Sequence, residues 1–234
     1  MSLLALGTAC SSAPAAPSPS QTPSQSPSAA RSGPAAAPSA APWRALPALT
    51  PGQLPGTALP VADLPPGTRY QDFTRTSAPD PERWRLAAAG NPDCAPVINA
   101  LAPPSGPYAE HGYVSGGSAG DVLKARVTAV PGAEARGRFD TLRDAVHGGR
   151  CTTLRLSAET AAFQLEPMPV DGPDVPTVGL RLRTTSGGGT VLLVLYAAVG
   201  ENSLLFSVSD EAQRKPALRT DLVTAQINRV LATS

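Results

Sequence analysis

The apolar run from Val191 to Val199 is the most sheet-like stretch of the chain. Gly200-Glu201-Asn202 breaks it, and Ser203 to Ser209 then mixes apolar with hydroxyl residues. Two β-rich runs joined by a short Gly-containing link predict an antiparallel hairpin. An uninterrupted apolar strand is covered on both faces, which places this hairpin centrally in a sheet. The run is too short to cross a bilayer as a helix, which takes about 20 residues.

Other segments follow the two periodicities of regular structure. Leu123, Ala125, Val127 and Ala129 alternate with Lys124, Arg126 and Thr128, the pattern of a half-buried strand, and Val178, Leu180 and Leu182 alternate with Arg181 and Arg183 in the same way. Strands are also predicted at Thr68 to Thr76, Tyr108 to Val114 and Ala161 to Leu165. Trp84 and Leu86 fit either a short strand or a helical turn. Asn91-Pro92-Asp93 predicts a helix start with Asp93 as cap and Pro96 in the first turn. Ala135, Phe139, Leu142 and Val146 form one apolar face of a longer helix that opens at Pro131-Gly132 and stops at Gly148. Leu218, Leu222, Val223, Ile227, Val230 and Leu231 give the last helix a broad apolar stripe. The fold class predicted is α+β: an antiparallel sheet with two longer helices packed on it and one short one.

The N-terminal quarter is different. Residues 11 to 42 are almost entirely Ser, Pro, Ala, Gln and Thr, with Arg31 the only charge. Such a segment cannot bury a core and is predicted to be a disordered stalk. As a Pro-rich spacer it would reach at most ~100 Å, or ~30 Å as a coil. From Trp43 to Gly67, apolar residues (Leu46, Leu49, Leu54, Leu59, Val61, Leu64) are spaced among prolines. This predicts an extended arm laid along a domain spanning 43–234.

Charge and cysteine usage narrow the setting. The chain has 234 residues and a net charge of +1, with 16% charged residues, so no concentrated basic face for nucleic acid is expected. The three cysteines are Cys10, Cys94 and Cys151. Residues 1–10 form an apolar stretch ending in small residues and Cys10, as at the end of a bacterial lipoprotein signal peptide, with lipidation on Cys10. The basic n-region is missing and the apolar stretch is short, which suggests a start codon further upstream. The plainer alternative is a cytoplasmic N-terminus with an idle cysteine. With Cys10 lipidated, Cys94 and Cys151 remain as a pair in an oxidising compartment, and a disulfide is predicted between them. It would close a loop of about 58 residues, stabilising by about 4 kcal/mol on the chain-entropy model. A zinc site lacks ligands, because His111 and His147 are the only histidines and no CxxC is present. No cofactor is predicted.

Candidate chemistry is sparse. Gly116-Gly117-Ser118-Ala119-Gly120 matches the G-x-S-x-G pattern, which needs a strand-to-helix turn, an acid and a later histidine. His147 is the one histidine that follows, no acid stands out, and the residues after Ser118 alternate like a strand, so a hairpin turn accounts for the motif. His111 beside Glu110 and Tyr113 is either a polar cluster in a pocket or a surface histidine. Arg181 and Arg183, with Arg155, either bind an anion or line a solvated face. Trp84, Tyr70, Tyr108 and Tyr113 are candidate cleft aromatics.

The order of these parts resembles a known layout. A lipobox-like cysteine is followed by a Ser/Pro/Ala stalk, an arm with Leu54-Pro55 and Leu64-Pro65-Pro66-Gly67, a Pro92-Asp93-Cys94 helix start, an amphipathic helix and a second cysteine at 151. This resembles actinobacterial sensor-domain lipoproteins, related to the extracytoplasmic sensor domain of PknH-type serine/threonine kinases. The resemblance implies an antiparallel sheet with helices around a cleft and a ligand-binding role without catalysis. The chain departs from the kinases in having one cysteine pair where they carry two, and in lacking a kinase domain and a membrane helix. The expected function is a monomeric, non-catalytic envelope lipoprotein, held to the outer face of the membrane by the lipid on Cys10 and binding an unassigned small molecule or envelope protein. Two alternatives remain, an envelope hydrolase using Ser118 and a structural wall protein.

Overall fold

The computed structural model describes residues 42–71, 80–115, 121–130, 134–156, 161–185, 191–209 and 216–234. Cys10, the 11–41 stretch and Ser118 therefore lie outside the described residues, as does the far end of the strand expected over Thr68 to Thr76.

Eight strands form one antiparallel sheet: β1 (Thr68–Gln71), β2 (Tyr108–Ser115), β3 (Asp121–Ala129), β4 (Thr153–Leu154), β5 (Phe163–Met168), β6 (Thr177–Thr184), β7 (Val191–Val199) and β8 (Asn202–Ser209). Their order is β1-β2-β3-β8-β7-β6-β5-β4. The predicted hairpin is thus β7–β8, and it sits in the middle. After β3 the chain crosses to the far edge at β4, then returns strand by strand until β8 closes against β3. All pairings are antiparallel. The Gly116–Gly120 motif joins β2 to β3, whose ends pair at Ser115 and Asp121. Its flanks are those of a hairpin and not of a strand-to-helix turn.

The crossover element is α3 (Glu134–His147). Its buried Ala135, Phe139, Leu142, Ala145 and Val146 pack on the sheet face presented by Val178, Leu180 and Leu182 of β6 and Val194, Tyr196 and Ala198 of β7. Two shorter helices share that face, α1 (Pro81–Gly90) and α2 (Ala95–Leu101). The Trp84–Leu86 segment is helical because Pro81 starts α1 and Asp80 caps it, accepting from the Glu82 and Arg83 N–H groups. Asp93 was expected to cap α2 and does not. It lies in a 3-10 turn over Pro92–Cys94, and no side chain caps α2. Cys94 and Cys151 are bonded, joining the start of α2 to the chain just past α3.

The opposite face carries α4 (Thr220–Thr233) and the arm. Leu222, Val223, Ile227 and Val230 meet Leu195, Ala197 and Val199 of β7 and Leu204, Phe206 and Val208 of β8. Alternate residues of β7 therefore serve two separate cores, which is why its run is unbroken. The arm buries Leu49, Leu54 and Leu59 in the α4-side core, each at most 4% exposed. Val61 departs from the expectation and stands 80% exposed. Among the described residues no helix is long and apolar enough to cross a membrane.

Candidate functional site

The register across the sheet centre lines up a row of side chains on the α2–α3 face. Glu110 of β2 pairs with Arg126 of β3, Arg126 with Leu205 of β8, Leu205 with Tyr196 of β7, and Tyr196 with Val178 of β6. One row along, Thr128 pairs with Ser203. α2 and α3 leave the middle of these rows open, and a cleft of about 820 Å³ results. That volume falls in the range of small-molecule sites, about 300–1,000 Å³.

Its floor is Arg126, Thr128, Tyr196, Ser203 and Leu205. One wall is α2 and the turn after it, including Pro96, Asn99, Pro103 and Pro104. The other wall is the first half of α3, with Glu134, Gly137, Arg138, Thr141 and Leu142. Proline stiffens the first wall, because its φ is fixed.

Arg126 is only 8% exposed. Its guanidinium donates to the carbonyls of Ala100 at 2.8 Å and Leu101 at 3.2 Å. These are end-of-helix carbonyls with no partner inside α2, so Arg126 both satisfies them and fixes the wall against the floor. Tyr196 is 7% exposed and its ring lies 6.3 Å from Phe139. Burial pushes its phenol up from the usual tyrosine value; the hydrogen bond with Ser203 and the positive charges of Arg138 and Arg126 act in the opposite direction. Both guanidiniums therefore act on the same floor atom. Arg138 also pairs with Glu134 at 2.8 Å on the rim, where both side chains are more than 60% exposed.

The residues singled out from sequence lie mostly elsewhere. Trp84, Tyr70, Tyr108 and Tyr113 do not line the cleft; Tyr196 does. His111 is buried, its Nε2 2.8 Å from the Thr57 hydroxyl under the arm, and it shares the α4-side face with Tyr113, not with Glu110. Tyr113 receives the Leu59 N–H at 3.1 Å and donates to Gln226, while Gln226 donates to the Thr57 carbonyl at 2.7 Å. That network fastens arm, sheet and α4 together. Arg181 lies 3.7 Å from Glu166 on the open face of β5–β6. His147 is exposed at the end of α3. Among the described residues no group of His, Cys, Asp or Glu is arranged to hold a metal.

The floor escaped sequence reasoning because Lys124, Arg126 and Thr128 alternate like any solvated strand face. A usable signal lay in β8. Ser203, Leu205 and Ser207 oppose Leu204, Phe206 and Val208 in a strand predicted to be covered on both sides, and a partly polar face under cover marks a cavity.

No family model matches the chain, and no curated protein matches it. Among solved structures it is similar to the extracellular domain of PknH from Mycobacterium tuberculosis, with a TM-score of 0.47 and 12% identity over 80% of this chain and 98% of that one. It is also similar to an uncharacterised protein of Mycobacterium smegmatis, with a TM-score of 0.32 and 14% identity over 73% of this chain and 76% of that one. Both are loose likenesses of fold at low identity.

Proposed function

We propose that the chain is a non-catalytic cell-envelope lipoprotein, anchored on the outer face of the membrane through a lipid on Cys10, whose α+β domain is a sensor-like binding module with its ligand site in the α2–α3 cleft. The observation that carries this reading is the cleft. It is concave, walled by proline on one side, and floored by a few fixed polar groups among apolar ones, the usual make-up of a binding site. The Cys94–Cys151 bond supports an oxidising compartment. The Ser/Pro/Ala stretch between Cys10 and the arm supports a tether that holds the domain away from its anchor.

Native mass spectrometry of the protein from its own host's membranes tests it. A diacylglyceryl and acyl mass on Cys10, with a non-covalent adduct on the domain, is the expected result. Lipidation without an adduct moves the reading to a structural wall protein. An unmodified N-terminus with reduced cysteines overturns it.

A further inference from the structure

We infer that the ligand of this cleft is a small neutral amphiphile, its hydroxyl-bearing head seated on Thr128, Tyr196 and Ser203 and its apolar body laid along the proline wall of α2. The inference rests on the cleft being the ligand site and adds the class of molecule it takes.

The charged groups of the lining are already matched within the chain. Arg126 is tied to the carbonyls of Ala100 and Leu101. It and Glu110, directly opposite on β2, each hold further interactions of their own. Arg138 pairs with Glu134 at 2.8 Å on the rim. Two guanidiniums thus stand against two carboxylates, and the site carries no surplus of either sign. A charged head entering here gives up water and finds its counter-charges already engaged, which is costly. A neutral head escapes that cost. Thr128, Tyr196 and Ser203 are buried on the floor and offer it hydroxyls. Burial keeps the Tyr196 phenol in its neutral form, and it shares a hydrogen bond with Ser203. Two hydroxyls joined by one bond keep acceptor capacity and one donor, which suits a ligand hydroxyl that both donates and accepts. The body of the ligand is set by Pro96, Pro103, Pro104, Leu142 and Leu205, which supply apolar area and no side-chain partner for a second polar group.

The test uses the full chain and three probes sharing an octyl tail: octyl β-glucoside, octyl sulfate and octyltrimethylammonium, titrated calorimetrically below their micellar concentrations. The glucoside is expected to bind at least about tenfold more tightly than either charged probe, with an affinity that stays constant as salt is raised. Tyr196→Phe and Ser203→Ala each remove one floor hydroxyl, and each is expected to weaken the glucoside about fivefold. If either charged probe binds as well as the glucoside, or if neither hydroxyl variant weakens the glucoside, the cleft stands as the ligand site and the inference of a neutral, hydroxyl-bearing head is wrong. If none of the three binds, or glucoside binding survives Thr141→Trp, which fills the cleft mouth from an exposed helix position, the cleft itself is not the site and both readings fall.

Discussion

The side-chain carbonyl of Asn202 accepts the backbone N–H of Leu49 at 2.9 Å, across 153 residues of sequence. The same amide donates to the Pro47 carbonyl at 2.9 Å and to Val199 at 3.3 Å, and Asn202 is fully buried. Asn202, together with the Glu201 N–H that donates to the Leu46 carbonyl at 2.8 Å, thus holds the arm to the β7–β8 turn. Next to it, Gly200 takes φ +59°, and a Cβ there would meet Leu46 backbone atoms 2.4 Å and 2.7 Å away. Asn202→Ala leaves a buried N–H and a buried carbonyl unpaired, which costs about 2–3 kcal/mol. A lower urea midpoint with unchanged m, together with earlier proteolysis between Trp43 and Leu59, is the expected outcome. Equal protease resistance would mean the arm is held by its leucines and the Tyr113–Gln226–Thr57 network without help from Asn202.

Removing the disulfide acts on a different element. Cys94 and Cys151 are 57 residues apart and both are buried in the α3-side core. The bond holds α2 beside the end of α3, and those helices are the two walls of the cleft. The double variant Cys94→Ala/Cys151→Ala is expected to lose about 2–5 kcal/mol in denaturant unfolding. Because the walls lose their tie at one end, ligand affinity is expected to fall along with stability. A variant that is destabilised yet binds unchanged would show that the sheet and the Arg126 bonds alone fix the walls.

The central hairpin, the amphipathic α3 and α4, and the cysteine pair were legible in the sequence because each is a local pattern or an exclusion. Val191–Val199 is apolar throughout because both faces are covered, and Ala135, Phe139, Leu142 and Val146 repeat at helical spacing. α1 was not legible, since its exposed Leu86 and half-buried Trp84 give little amphipathic contrast. Asp93 looked like a cap, but a tight turn over Pro92–Cys94 precedes α2 and leaves the aspartate outside. The cleft was hidden for a related reason. Arg126 and Thr128 repeat as a wet strand face does, and what covers them, the end of α2 and the start of α3, comes from distant parts of the chain. The role of Asn202 depends on where the arm returns, which no local pattern contains.

Alkaline pH gives a test of the α4-side network. Burial pushes the Tyr113 phenol from 10.0 to about 12, with the Leu59 N–H bond acting the other way. The folded chain thus holds the neutral phenol more strongly than the unfolded chain does. The resulting stability is fully present below pH 10 and is lost as pH rises toward 12, amounting to about 2 kcal/mol. Titrating the near-ultraviolet tyrosinate absorbance alongside the unfolding midpoint checks it. Tyr113→Phe is expected to be less stable at neutral pH, because Gln226 and Leu59 lose a partner, and to lose less stability between pH 10 and 12. The same alkaline loss in both proteins would place the sensitive group elsewhere.

Phe139 connects the arm's first aromatic ring to the cleft. Trp43 meets Phe139 edge-on at 6.3 Å, and Phe139 lies 6.3 Å from Tyr196, whose ring is part of the cleft floor. The Arg136 guanidinium lies over the same indole, 5.9 Å from its centroid. Phe139 is 3% exposed, so Phe139→Ala opens a cavity between α3 and the sheet and is expected to cost about 3–5 kcal/mol. The loss has two separable parts. Trp43 loses its apolar neighbour, so in a Trp84→Phe background, where Trp43 is the only tryptophan, its emission is expected to shift to the red. Tyr196 loses the ring that positions it, so ligand binding in the cleft is expected to weaken as well. Arg136→Gln removes only the cover over Trp43 and is expected to change the emission while leaving binding intact. Should Phe139→Ala change the emission without touching affinity, Tyr196 would be held by Ser203 and β8 alone, and the start of the arm would be energetically separate from the cleft.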